Sequence, residues 1–259
     1  MTDEQPYPLK TRLRIACQAV AGFTVMTVGS LVTLMVATLT LFQMRGFYAD
    51  YLIAPTARIA LQIAGVRFVV HDAERLRGGQ VVFIANHAST LDVFILTAMR
   101  LPNTRFFLSG HLRRKFPPLG LLGYLAGVFW TVPQQFPERR VEIFKRAERV
   151  LRRTGESVFL SPEGNQGRMG LIAPFNKGAF HLATNLAAPI VPMYFAIPAS
   201  IHPKWGYNFR PGVVDVYVQP PISTEAWTLE DLDANRQKMH AYYVELQGRY
   251  ESDGLSHHE

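Results

Sequence analysis

Apolar and polar positions are arranged along this chain in two ways, changing near residue 65. Residues 1–14 are polar and include Lys10, Arg12 and Arg14; positions 15–44 then run for 30 residues without a charge. A bilayer core takes about 20 apolar residues in helical form, so this run predicts a membrane segment. A signal peptide is the competing reading, but its apolar core spans only about 7 to 15 residues. Positions 51–65 predict a second apolar helix, too short and too charged to span, with Pro55 and Arg58 inside it. Basic residues flank the pair, with Lys10, Arg12 and Arg14 before it and Arg45 inside it. Such charges collect on the cytoplasmic side. The two helices therefore predict a hairpin embedded in the cytoplasmic leaflet, with a single crossing and an outside N-terminus as the alternative.

Beyond residue 65 short apolar runs alternate with segments of helical period. Strands are expected at 66–72, 81–85, 104–108, 127–132, 157–160, 189–197 and 213–218, the last alternating as an edge or late strand does. Residues 73–79 read as a turn. Helices are expected at 93–99, in the basic-then-apolar stretch after His111, at 137–153, at 176–186 and at 229–246. In the 137–153 segment Val141, Phe144, Ala147 and Leu151 recur at helical spacing, and Gly155 stops it. Residues 247–259 read as a frayed tail. Strands alternating with helices predict an α/β fold with a mostly parallel sheet flanked by helices. The expected organisation is a membrane-anchoring unit at 1–65 and an α/β domain at 66–259.

The candidate chemistry sits where the 81–85 strand ends. Asn86-His87 follows that strand, Ser89 or Thr90 is placed to cap the next helix, and Asp92 stands in its first turn. The C-terminal lip of such a strand is where open α/β sheets place ligands. A His held by a carboxylate keeps one tautomer, leaving its other nitrogen free as a general base. Downstream, Val158-Phe-Leu-Ser-Pro-Glu-Gly is a strand running into the Glu163-Gly164 turn. Gly164 lets backbone approach a ligand. Lys177, at a helix start, is a candidate for meeting a phosphate. Ser89 is also the rival nucleophile, which would make the chain a lipid hydrolase.

Asn-His-x-Ser-x-x-Asp, Pro-Glu-Gly, Phe-x-Lys-Gly-Ala and Ile-Val-Pro occur in this order between Asn86 and Pro192. In these blocks the sequence resembles the glycerophospholipid acyltransferase family, over about residues 66–221. The resemblance implies an acyltransferase taking a fatty acyl group from acyl-CoA or acyl carrier protein, with 1-acyl-sn-glycerol-3-phosphate as acceptor and phosphatidate as product. His87 would be the general base and Asp92 its orienting acid. Asn86, Ser89, Glu163, Gly164, Arg168 and Lys177 would line the substrate site. Neither a metal nor a bound cofactor is implied. Two departures bear on the acceptor. The family usually carries Thr-Arg after Glu-Gly, whereas this chain has Asn165-Gln166 with Arg168 the nearest arginine. It also usually ends its second block in a basic pair, where Val132-Pro133 stands here. Either Arg168, Lys177 and the stretch Arg113, Arg114, Lys115 substitute for the phosphate clamp, or the acceptor is a different lysolipid.

Composition agrees with a lipid partner. Apolar residues make up 48% of the chain, the net charge is +7 and the isoelectric point is near 9.7. A basic surface suits an anionic partner. No nucleic-acid recognition module is recognisable, so a phospholipid surface is the expected partner. The expected location is the inner, cytoplasmic membrane with the active site facing the cytoplasm. One cysteine, Cys17, excludes an intrachain disulfide, and no His/Cys cluster has zinc spacing.

Overall fold

The structure, a computed structural model, describes residues 9–87, 89–164, 171–198, 200–201 and 209–253. Seven strands form one sheet: β1 (Val66–His71), β2 (Val82–Ala85), β3 (Thr104–Ser109), β4 (Phe129–Thr131), β5 (Ser157–Leu160), β6 (Ile190–Ala196) and β7 (Gly212–Val218). Their spatial order is β1-β7-β6-β2-β5-β3-β4. All neighbours are parallel except β6 and β7. The strand bearing the Asn-His block is thus the central one. Its residues are apolar without alternation because both faces are covered. Val82 and Ile84 pack against helices α7 (Pro137–Thr154), α8 (Gly178–Leu186) and α9 (Leu232–Asp253). Phe83 and Ala85 pack against α3 (Ala54–Ile63) and α4 (Leu91–Met99).

The expectation of an edge strand at 213–218 is overturned: β7 lies inside the sheet, between β1 and β6. Its alternation has another cause. Val214, Val216 and Val218 are buried beneath the α3–α4 layer, whereas Asp215 and Tyr217 lie on the less covered face. The expected frayed tail is also corrected, because α9 continues to Asp253. Tyr250 anchors its last turns by stacking on Tyr217 with ring centroids 3.7 Å apart. The helix after β2 starts two residues earlier than its apolar run, at Leu91, because the Ser89 hydroxyl accepts a hydrogen bond from the Leu91 amide at 3.1 Å.

The N-terminal segment is a hairpin of helices. Its first arm is α1 (Leu9–Leu39). The chain turns through Leu41 and Phe42, both at positive φ, and the Tyr48 hydroxyl pins the turn by bonding Thr40 and accepting from the Met44 amide. The return arm is helical throughout: α2 (Arg45–Phe47), a π-helical stretch at Tyr48–Ile53, then α3. It starts six residues earlier than the apolar pattern suggests, since Tyr48 and Ile53 are already buried. The stretch after His111 forms α5 (Gly110–Lys115) and α6 (Pro117–Leu125), and α6 packs against α1. A buried carboxylate joins the hairpin to the sheet. Glu156, beside β5, pairs with Arg45 at the hairpin turn and with Arg105 of β3.

Candidate active site

Asn86 and His87 leave the C-terminal end of β2 at the middle of the sheet. Asn86 is buried, and its side chain continues the ladder to β6. Its amide donates to the Phe195 carbonyl at 3.0 Å and its oxygen accepts from the Phe195 N–H at 2.8 Å. That double bond fixes where the strand ends, and it occupies Asn86. A direct substrate contact from its side chain is therefore not what the geometry provides.

His87 Nδ1 lies 2.9 Å from Asp92 Oδ2. A carboxylate can only accept, so the ring proton sits on Nδ1 and the Nε2 lone pair is left for chemistry. The same Asp92 oxygen accepts from the Ser89 amide at 3.1 Å, which holds the carboxylate in the first turn of α4. Asp92 is 4% exposed in its side chain and His87 is 27% exposed, so the acid is sheltered while the ring remains reachable. Burial alone lowers the His87 pKa. The hydrogen bond and charge of Asp92, with the charge of Glu163, outweigh it and raise the pKa above 6.5. The second Asp92 oxygen and the Ser161 hydroxyl, at the end of the adjacent β5, are buried without a partner. Unsatisfied polar atoms of this kind are rare in folded proteins and concentrate where ligands bind.

Glu163 stands at this edge, but both its oxygens face backbone. One accepts from the His87 N–H at 2.7 Å and the other from the Ala173 N–H at 2.9 Å. Burial raises its pKa, against the opposing pull of those two amides. The expected contact of Glu163 with substrate is thereby replaced by a positioning duty: it ties the strand-end His to the segment before α8. Gly164 has φ +72°, and a Cβ there would come within 2.6 Å of the Asn176 side chain. Asn176 donates from its side chain to the carbonyls of Pro162 and Glu163, so it clips the Glu163 turn. Sequence reasoning missed Asn176, although it lies in the Phe-x-Lys-Gly block, because that block reads simply as a helix start.

Two further expectations are corrected. Ser89 is fully buried, with its hydroxyl engaged by the Leu91 amide, which leaves it capping a helix rather than attacking a substrate. Lys177 does not face the imidazole region; its ammonium lies 2.6 Å from Asp233 at the start of α9, a carboxylate that Arg236 shares. Arg168 falls outside the described residues. The remaining candidate cations, Arg113, Arg114 and Lys115, are exposed on α5. That helix follows directly from β3, which ends at the same edge of the sheet as β2.

Tyr243 of α9 supports the site from beneath. Its buried hydroxyl lies 2.9 Å from the Ile84 carbonyl and 3.0 Å from the Met193 carbonyl, and it accepts from the Met193 amide. Pro192 faces Ile84 in the register and has no N–H to donate, so a side-chain hydroxyl meets a backbone need at this point.

A family model described as acyltransferase matches residues 67–196. The chain is 29% identical over 189 residues to a 1-acyl-sn-glycerol-3-phosphate acyltransferase of Limnanthes douglasii, covering 72% of this chain and 65% of that protein. It is 33% identical over 171 residues to the human 1-acyl-sn-glycerol-3-phosphate acyltransferase beta, covering 66% of this chain and 61% of that protein. The match thus spans somewhat less than two thirds of these relatives' length. In fold the chain resembles a solved 1-acyl-sn-glycerophosphate acyltransferase, PlsC, from Thermotoga maritima, with a TM-score of 0.72 at 18% identity over 92% of this chain and 97% of that one.

Proposed function

The chain belongs to the acyltransferase family, and on that footing we propose that it moves a fatty acyl group from a thioester to the hydroxyl of a lysolipid at a membrane surface. The observation that carries this reading is the His87–Asp92 pair at the end of the central strand, with Nε2 uncommitted. In the proposed reaction Nε2 takes the proton of the acceptor hydroxyl, and the oxygen attacks the thioester carbonyl carbon. Asp92 stabilises the imidazolium that forms. The tetrahedral intermediate collapses, the carbon–sulfur bond breaks, and the imidazolium returns its proton to the leaving thiolate. The donor is an acyl thioester of coenzyme A or acyl carrier protein. Ser89, sealed and capping α4, argues against a hydrolase that forms an acyl-enzyme.

The transferred chain needs an apolar wall near that carbon. A cavity beside α4 is lined by Val93, Phe94, Phe106, Leu108, Leu119 and Leu122. Of the aromatic residues expected to set its depth, Phe106 lies here. Phe107 and Phe129 instead face the opposite layer, where Phe107 stacks on Phe144 at 4.7 Å. Successive strand residues point to opposite faces, so neighbouring phenylalanines cannot share one cavity.

Membrane attachment in this reading runs through the hairpin. Residues 12–39 of α1 are long and apolar enough to cross a bilayer, and only 17% of that window is buried. Packing within the protein cannot account for so apolar a surface; Leu31, Val32, Met35, Leu39, Leu41 and Phe42 are exposed up to and through the hairpin tip. An apolar patch of this extent marks a membrane or partner surface.

The default acceptor is 1-acyl-sn-glycerol-3-phosphate, with phosphatidate as product. With Lys177 paired to Asp233, the cations left for its phosphate among the described candidates are those of α5. A lysolipid with another headgroup is the second reading, favoured by the altered residues after Glu163-Gly164. Purified protein in detergent, given a labelled acyl thioester and a panel of lysolipids, decides between them. Transfer to lysophosphatidate is the expected result. Brisk transfer to another acceptor with none to lysophosphatidate selects the second reading.

A further inference from the structure

Two apolar cavities flank α4, and Met26 and Phe94 contribute to both. The first has been given to the transferred chain. The second, of about 290 Å³, is lined by Ala19 and Gly22 of α1, Ala60 of α3, Leu91 and Phe94 of α4, and Phe116. Gln18 also lines it, but the Gln18 side-chain amide is held by the Ile63 carbonyl at 3.0 Å. We propose that this groove binds the acyl chain that the lysolipid acceptor already carries. The inference rests on the acyltransferase reading and adds to it a second lipid-chain site.

The argument is one of place and charge. Acyl transfer to a lysolipid brings two hydrocarbon chains to one imidazole, and a site that welcomes only one leaves the other in water at about 0.8 kcal/mol per methylene. The groove begins at Leu91, the residue next to Asp92. From there it runs along the hairpin as far as Ile15. From Met26 to Ile15 the helix rises about 16 Å at 1.5 Å per residue, a length comparable to much of a fatty chain. Its walls come mainly from the two hairpin arms, the elements whose outer faces are apolar and exposed, so a chain can enter sideways from a bilayer. The other end of an acceptor is anionic, and the residues that directly precede the wall residue Phe116 are the exposed Arg113, Arg114 and Lys115. An apolar slot ending beside three cations at the catalytic edge matches an anionic amphiphile and suits a neutral lipid poorly.

Gly22 offers a direct test, because a Cβ built there meets nothing within 4 Å. Gly22→Phe therefore fills the groove without a clash at its Cβ, and replacing a mid-helix glycine does not weaken the helix. The full-length protein, in detergent, is given palmitoyl-CoA and either 1-oleoyl or 1-hexanoyl lysophosphatidate. Gly22→Phe is expected to lower the ratio of kcat/KM for the oleoyl over the hexanoyl acceptor at least tenfold, while the preference among donor chain lengths stays where it was. Val28→Phe places the same ring on an exposed face of the same helix, and should leave the ratio unchanged. An unchanged ratio in Gly22→Phe, or a shift in donor preference instead, overturns the groove assignment and leaves the enzyme reading standing. A wild-type protein that transfers to no lysolipid overturns both.

Discussion

His87 acts as a base only when its ring is neutral, and its surroundings decide at what pH that holds. Asp92 and Glu163 raise its pKa above the ordinary 6.5, so the protonated, inactive form persists to higher pH. Activity is expected to fall as pH drops through that raised value. Asp92→Asn removes the hydrogen-bonded charge and leaves burial, which acts the other way. The acid limb of kcat/KM should then move to lower pH while the plateau rate falls. A pH profile of the two proteins measures this, and an acid limb that stays in place disproves the coupling. His87→Ala should lower kcat by about a hundredfold to ten-thousandfold, the usual contribution of a general base. Near-normal turnover in that variant would remove the imidazole from the mechanism.

Among the elements, the turn at Ser161–Gly164 has to be held in one shape, since Glu163 fixes the His87 amide from it. Gly164 lies at φ +72°, a conformation costly to residues with a side chain, and an added methyl would meet the Asn176 amide. Gly164→Ala should therefore destabilise the fold by about 1–3 kcal/mol, read as a lower Tm in detergent. It should also lower turnover, because the strained turn moves Glu163 away from His87. A variant with unchanged Tm and rate would show that the turn tolerates displacement.

The whole molecule places its parts by sheet order. His71 and Asp215 form a second His–carboxylate pair, with 2.8 Å between nitrogen and oxygen. It lies at the end of β1, a strand running opposite to β2, and so at the other edge of the sheet. His71→Ala is accordingly expected to leave turnover within about twofold, since surface changes remote from a site rarely alter it. A large loss in a direct assay would mean that the catalytic edge has been misassigned. The hairpin sets a second expectation at this scale. If apolar burial rather than the +7 charge anchors the chain, flotation with anionic vesicles persists in high salt, which screens surface charge. Release by salt alone would indicate a purely electrostatic contact.

Local pattern alone was enough for much of this. Strand and helix periods, the Gly155 stop and the proximity of His87 to Asp92 all depend on residues within a few positions of one another, so the linear order carries them. The two helices of the hairpin were legible for the same reason. The duties of Asn86, Glu163 and Lys177 were not, because their partners Phe195, Ala173 and Asp233 are reached only once strands and helices pack. The internal position of β7 and the division of Phe106 from Phe107 belong to the tertiary structure as well, since an alternating strand reads the same wherever it sits in a sheet. Which polar side chains hold backbone and which remain open to a substrate is decided by long-range packing, and no short-range signal in the chain encodes it.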